Sequence, residues 1–282
     1  MLPDGLTFER ASRDDVDTMV DWAAREGWNP GTLDGESFHA ADPNGFWLAR
    51  MDDQMVACMS LVTYSADFAF LGFYIADPAF RGQGIGYGLW QTALNTCSSN
   101  TIGLDGVVDQ QDNYQKSGFI LAHRNIRFGG IPEGMAPGSN DLVTMTPAHT
   151  DMIAAYDQNL FPAPRRTFLA PWLTSAGHLG VVSLTEGAVN GYGVIRPSHD
   201  GHKIGPLFAE MATTAASIFD TLVRQSGCQT VFIDPPKPNA QAIDFYCKRG
   251  LSPVFETARM YRGPAPVLPL DQIFGITSFE LG

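Results

Sequence analysis

Hydrophobic and polar positions along the first 130 residues change period several times, and each change predicts an element. Leu6 to Arg10 reads as a first strand. Asp14 and Asp15 then offer an N-cap to the run Val16, Met19, Val20, Ala23, whose spacing of three and four is helical. Phe46 to Met51 and Gln54 to Tyr64 predict a hairpin with Asp52-Asp53 at its turn. Phe68 to Ala76 is an apolar, aromatic-rich run closed by Pro78. A glycine-rich turn follows, then a helical pattern from Tyr87 to about Cys97. Thr101 to Val108 predicts another strand, a short helix carries Tyr114, and Gly118-Phe119 opens a final strand pair.

The second half runs through the same order of elements. Asp141 to Met145 is a strand, and Thr150-Asp151 caps a helix through Tyr156. Val181 to Thr185 and Tyr192 to Ile195 form a hairpin around Gly187. Strand Lys203–Phe208, helix Ala209–Gln225, strand Thr230–Asp234 and helix Asn239–Arg249 complete the series. The text itself repeats: Tyr114-x-x-x-Gly118-Phe119 followed by Arg127 matches Tyr246-x-x-x-Gly250-Leu251 followed by Arg259, with the same Tyr-to-Arg separation. Duplication of an α/β unit is the reading. Gly129, Gly130, Pro132, Gly134, Pro137 and Gly138 concentrate breakers between the halves. The predicted division is therefore 1–130, a linker at 131–140, a second unit at 141–264, and a strand or extended arm at 265–282.

Composition narrows the class. Of 282 residues, 44% are hydrophobic and 17% charged, which suits a packed globular core. The formal net charge is -12, and no Lys/Arg cluster marks a nucleic-acid footprint. An acidic surface favours cationic partners such as amines. The four cysteines make no CxxC and have no histidine at zinc-site spacing, so no metal is expected and a reducing compartment is. No run approaches the ~18 apolar residues of a membrane span, and the N-terminus has no signal-peptide pattern. A cytoplasmic protein without membrane or nucleic-acid partners, monomer or homodimer, is expected.

The chemistry concentrates in Phe73-Tyr74-Ile75-Ala76-Asp77-Pro78-Ala79-Phe80-Arg81-Gly82-Gln83-Gly84-Ile85-Gly86. It reads as a strand, a proline stop, a glycine turn and a helix start. A first helical turn leaves backbone N–H groups free, and the helix dipole adds positive potential there. Glycines let the chain approach a diphosphate and take positive φ. Arg81 can add a full charge. There is no Gly-Lys-Ser/Thr of a Walker loop, and Gly-x-Gly-x-Gly-x-Gly from Gly82 is not the dinucleotide fingerprint.

Arg81-x-x-Gly84-x-Gly86 after an apolar strand and Pro78 resembles motif A of the GNAT acetyltransferases. Tyr114-x-x-x-Gly118-Phe119 resembles that family's second element, at the usual spacing. The likeness covers nearly all of residues 5–128. The second half is similar to a degenerate GNAT domain: it keeps the Tyr246 element, but after Gly205-Pro206-Leu207-Phe208 comes Ala209-Glu210-Met211-Ala212, with an acid where a diphosphate would lie. The resemblance implies a mixed-sheet α/β fold, two tandem GNAT-like units, and acetyl-CoA as acyl donor with coenzyme A as product.

The same resemblance assigns site residues. The pantetheine arm would lie between strands 4 and 5 against Phe73 and Ile75, and a strand 4 N–H would polarise the thioester carbonyl. Arg81 and Gly82, Gln83, Gly84, Ile85, Gly86, Tyr87 and Gly88 would hold the diphosphate. Tyr114 would protonate the leaving thiolate as general acid. The base stays open between Asp105 on strand 5, Asp67 before strand 4, and an ordered water. Trp28, Asn29 and Tyr64 are acceptor-pocket candidates. The implied reaction is acetyl transfer to a primary amine of a small molecule. A protein lysine or N-terminal acetyltransferase is one alternative, and a non-catalytic acyl-CoA sensor or scaffold the other.

Overall fold

Ser12 opens the first helix by a capping box. Its side chain accepts from the Asp15 amide, while the Asp15 carboxylate accepts from the Ser12 backbone. The helix then buries Val16, Met19, Val20 and Ala23, as their spacing requires. A computed structural model of the chain describes residues 3–135 and 142–282, so Pro137, Gly138 and Asp141, named above, lie outside the described residues.

The first half is β1 (Leu6–Arg10), α1 (Arg13–Arg25), α2 (Asp34–Ala41), β2 (Phe46–Met51), β3 (Gln54–Thr63), β4 (Phe68–Ala76), α3 (Ile85–Leu94), β5 (Thr101–Val107), α4 (Gln111–Lys116) and β6 (Ile120–Gly130). The second is β7 (Leu142–Thr144), α5 (Thr150–Asp157), α6 (Arg166–Thr174), β8 (Leu179–Thr185), β9 (Ala188–Pro197), β10 (His202–Ala209), α7 (Ala212–Ser226), β11 (Val231–Ile233), α8 (Ala240–Lys248), β12 (Ser252–Arg262) and β13 (Ile273–Gly275). Two helices are absent from the sequence reading. α2 has no clean apolar stripe and buries its Asp34, and α6 carries Pro171 inside it.

All thirteen described strands join one mixed sheet, in the order β1-β2-β3-β4-β5-β12-β6-β11-β10-β9-β8-β7, with β13 added on β10. The contiguous division at 130 and 141 does not describe how this sheet is built. The strand beside β5 is β12, paired from Thr257↔Val107 to Arg262↔Ile102. The strand beside β11 is β6, paired from Val231↔Gly130 to Ile233↔Phe128. β12 of the second half thus lies in the first and β6 of the first lies in the second, and the two pair with each other at the centre.

Buried charge locks the exchange. Arg259 on β12 donates Nε and Nη2 to the two oxygens of Asp105 on β5, at 2.9 and 2.6 Å. Arg127 on β6 donates to both oxygens of Asp234, just after β11, at 2.7 and 2.9 Å. These are the repeat's two arginines, each meeting the aspartate of the opposite half. A third bidentate pair joins Arg196 of β9 to Asp34 of α2.

The C-terminal segment is a strap. β13 pairs β10 antiparallel, and the Ile276 amide donates to the Asp234 carbonyl. The chain then crosses to the first half, where Tyr64 Oη donates to the Leu281 carbonyl at 3.0 Å. A Cβ on Gly72 of β4 would fall 2.0 Å from the Glu280 carbonyl oxygen, so only glycine lets the strap lie this close.

Candidate active site

Strand β4 is bent at Phe73, whose φ is +48°. Its register with β3 shifts between Cys58 and Ser60. A left-handed aromatic residue costs about 1–3 kcal/mol and persists only when its surroundings fix it. Here the ring is held in the core against Phe38 and Phe46, with centroids 5.8 and 6.5 Å away. The bend has a consequence across the sheet. β4 pairs β5 in parallel only from Phe68↔Thr101 to Leu71↔Leu104. Beyond that point the two strands part, and a cavity of about 510 Å³ opens between them. Phe73 to Ala76 line one side and Leu104 to Val107 the other.

The glycine turn closes one end. Gly82 and Gly84 have φ of +78° and +81°, and Gly84 is the N-cap of α3. A Cβ at either would meet nothing within 4 Å, so backbone conformation, not space, requires glycine there, and the turn faces open volume. The Gly88 amide makes the first intrahelical bond, to the Gly84 carbonyl at 2.9 Å. The amides of Ile85, Gly86 and Tyr87 precede it and have no helical acceptor. All three residues line the cavity. This cradle fits an anionic diphosphate.

Eight of the ten predicted cofactor positions line the cavity and two do not. Gln83 and Gly88 do not line the cavity. Gln83 turns back to donate to the Ala79 carbonyl, and Gly88 is bonded inside its own helix. Phe73, Ile75, Arg81, Gly82, Gly84, Ile85, Gly86 and Tyr87 do line it. Arg81 is not a free charge: it donates to the Ala76 carbonyl at 2.9 Å and to Glu26 at 2.5 Å, tying the turn to the end of α1.

Tyr114 lies in the wall opposite β4. Its ring stacks on Trp90 of α3 at 5.9 Å. It also sits so near Gly106 that a Cβ there would approach the ring to 2.3 Å. Burial, with Tyr74 nearby, pushes its hydroxyl above the ordinary tyrosine range, so it is protonated at neutral pH. Tyr74, which the sequence reading named in the motif without a site role, also lines the cavity, and burial and Tyr87 raise it to about 12.

Asp105 reaches the cavity, but its oxygens accept from Arg259 and one also from Asn125 at 2.8 Å. Burial raises its carboxyl against the pull of those partners. With both oxygens engaged it anchors β12 to β5. Asp67 is outside the cavity wall and accepts from Asn100.

Of the acceptor-pocket candidates, Trp28 lines the cavity and the other two do not. Asn29 exchanges hydrogen bonds with the backbone of Asp200 at 2.9 and 3.2 Å and so joins the two halves. Tyr64 packs on Phe161 and holds the strap. Phe255 and Thr257 of β12 and Phe279 of the strap also line the cavity. All three come from the second half. The strand exchange brings the first two here and the strap brings the third, and no local signal announces either.

The second half has a corresponding cleft, and the strap fills it. Placing Asp234 against Asp105 matches Leu104 with Ile233 and, through the strand pairings, Leu71 with Ile204. β10 leaves β11 after Ile204, as β4 leaves β5 after Leu71. Where β4 then faces open volume, β10 pairs β13 at Leu207 and Phe208. Tyr246, the counterpart of Tyr114, donates to the Phe274 carbonyl at 2.8 Å. Elsewhere, Arg165 is buried in a bidentate pair with Asp157 and Arg166 pairs Asp151 on the surface. Among the described residues no group of three or more His, Cys, Asp or Glu could hold a metal ion. No described helix is long and apolar enough to cross a membrane.

A bent β4 splayed from β5, beside a glycine-capped helix and a buried tyrosine, defines an acyl-CoA transferase architecture. Comparison with known proteins agrees. The Acetyltransferase (GNAT) family matches residues 13–119, and an Acetyltransferase (GNAT) domain matches residues 153–275. A holothin acyltransferase from Pseudoalteromonas sp. (strain SANK 73390) is 33% identical over 278 residues, covering 98% of this chain and 94% of that protein. A Pyrococcus horikoshii structure, provisionally assigned as an acetyltransferase, superposes with a TM-score of 0.84 at 22% identity, covering 100% and 98% of the two chains. A tandem GNAT protein from the clavulanic acid biosynthesis pathway gives 0.63 at 17% identity, covering 93% and 100%. The chain belongs to the GNAT acyltransferases, in their tandem two-domain form.

Proposed function

We infer that the chain is an acetyl-CoA-dependent N-acetyltransferase acting on a primary amine of a small molecule. One observation carries this reading. A single cavity runs from the free amides at the start of α3, past the Phe73 bend, to Tyr114. The similarity to a holothin acyltransferase over nearly the whole of both chains supports a small-molecule acceptor over a protein lysine or N-terminus. Four free cysteines fit a cytoplasmic setting.

When bound, acetyl-CoA supplies an activated thioester carbonyl and a thiolate leaving group. Ile85, Gly86 and Tyr87 offer backbone amides to its diphosphate. The β4 edge beyond Phe73 offers an N–H to the carbonyl oxygen as negative charge grows there, an effect worth ~3–4 kcal/mol per donor in other enzymes. Tyr114 holds a proton at Oη, which burial keeps in place, and passes it to the departing sulfur. The proton lost by the attacking nitrogen goes to water and restores the tyrosine. Asp105 takes no part in proton transfer and keeps β12 in register.

The test is thiol release, with product mass, for the full chain given acetyl-CoA and a panel of amines that includes holothin and lysyl peptides. Amine-dependent release on small amines is expected. Binding of acetyl-CoA without transfer to any amine would make the protein a sensor, and no binding would make it a scaffold.

A further inference from the structure

Trp28, Phe255, Thr257 and Phe279 share the cavity wall, and three of these four residues come from the second half. Phe255 and Phe279 have ring centroids 5.9 Å apart. The Arg127 guanidinium lies 5.7 and 4.6 Å from those rings and donates to the Trp28 carbonyl at 2.5 Å. Arg127 therefore gathers Trp28, Phe255 and Phe279 into one cluster, and each of them lines the cavity.

Within this wall is one buried polar group without a partner. Thr257 is 2% exposed, lines the cavity, and its hydroxyl has no hydrogen-bond partner. It follows Phe255 by two residues on the same strand face. A buried hydroxyl without a partner is costly, and a ligand that reaches it relieves that cost. Charge points the same way. The two carboxylates in the cavity wall are both paired, Glu26 with Arg81 and Asp105 with Arg259. Neither is free to hold an ammonium group or to strip a proton from it.

Resting on the acyl-transfer reading above, we propose that Trp28, Phe255, Thr257 and Phe279 form the acceptor subsite, and that its substrate is a flat aromatic or heteroaromatic amine. Such an amine is weakly basic and already uncharged at neutral pH, so it attacks without a general base. Its ring lies against the aromatic wall, and a polar ring atom or the amine itself bonds the Thr257 hydroxyl.

The test is steady-state kinetics with acetyl-CoA on aniline and aminothiazole, against butylamine and a lysyl peptide. The aromatic amines are expected to have the higher kcat/KM, with no rise across the neutral pH range. Thr257→Val is expected to raise their KM roughly tenfold, the worth of one buried hydrogen bond. KM for acetyl-CoA stays unchanged and the melting temperature does not fall, and Thr257→Ser restores the aromatic-amine KM. Turnover of butylamine or the peptide with aromatic amines refused overturns the subsite and leaves acyl transfer standing. A Thr257→Val enzyme indistinguishable from wild type on every amine also overturns it. Failure to acylate any amine by protein that binds acetyl-CoA overturns both readings.

Discussion

Tyr114 owes its place to Trp90 beneath it and to the missing Cβ of Gly106. Removing only its hydroxyl isolates its role as proton donor. Tyr114→Phe is expected to lower kcat by ~10²-fold or more without changing acetyl-CoA affinity, as single-turnover and equilibrium titration would show. An unchanged kcat would remove Tyr114 from the mechanism. His123 makes a second, independent prediction. Burial and the nearby Arg259 lower it from 6.5 to about 4. The folded state therefore binds this proton less readily than the unfolded chain does. The stability it contributes is complete above the unfolded value and is lost as pH falls towards about 4. His123→Gln should lose on the order of 2 kcal/mol less than wild type over that fall, in denaturant titrations at each pH. Tyr114 and the glycines were legible in the sequence because their signals are local spacings. Asp105 was not, because its partner Arg259 lies 154 residues away. Asn29 and Tyr64 were misplaced for the same reason, since Asp200 and Leu281 hold them from the other half.

Strands β6 and β12 carry the exchange, and their arginines are the elements' fasteners. Removing one partner of a buried, hydrogen-bonded ion pair typically costs ~3–5 kcal/mol, because the other charge is left without compensation. Arg259→Met should lose about that much stability, measured by urea unfolding of the full chain. The double variant Arg259→Met/Asp105→Leu should recover most of it, since a matched apolar pair removes the stranded carboxylate. No recovery would mean that the pair holds β12 by geometry that packing cannot replace. Most elements could be read because alternation in β1, the apolar run of β4 and the helical spacing of α1 and α7 are strong. α2 and α6 could not: one presents a polar face to a buried arginine, and the other runs through a proline. The pairing of β12 with β5 was equally hidden. β6 and β12 hold corresponding places in the two halves, and nothing in their local pattern says which lies beside β5.

Across the whole molecule the strap treats the clefts of the two halves differently. In the second half the strap pairs with β10, and Tyr246 is bonded to the Phe274 carbonyl. In the first half β4 stays open, and the strap contributes Phe279 to its wall. One segment thus closes one cleft and finishes the other. The central claim is that the free amides at the start of α3 receive the diphosphate of coenzyme A, once per chain. Isothermal titration of the full chain with coenzyme A tests it most directly. The account predicts one site per chain, and a loss of affinity of at least roughly tenfold in Gly84→Glu, which sets a carboxylate at the positive end of the helix. Two sites per chain, or a Gly84→Glu protein that binds as wild type does, would contradict it.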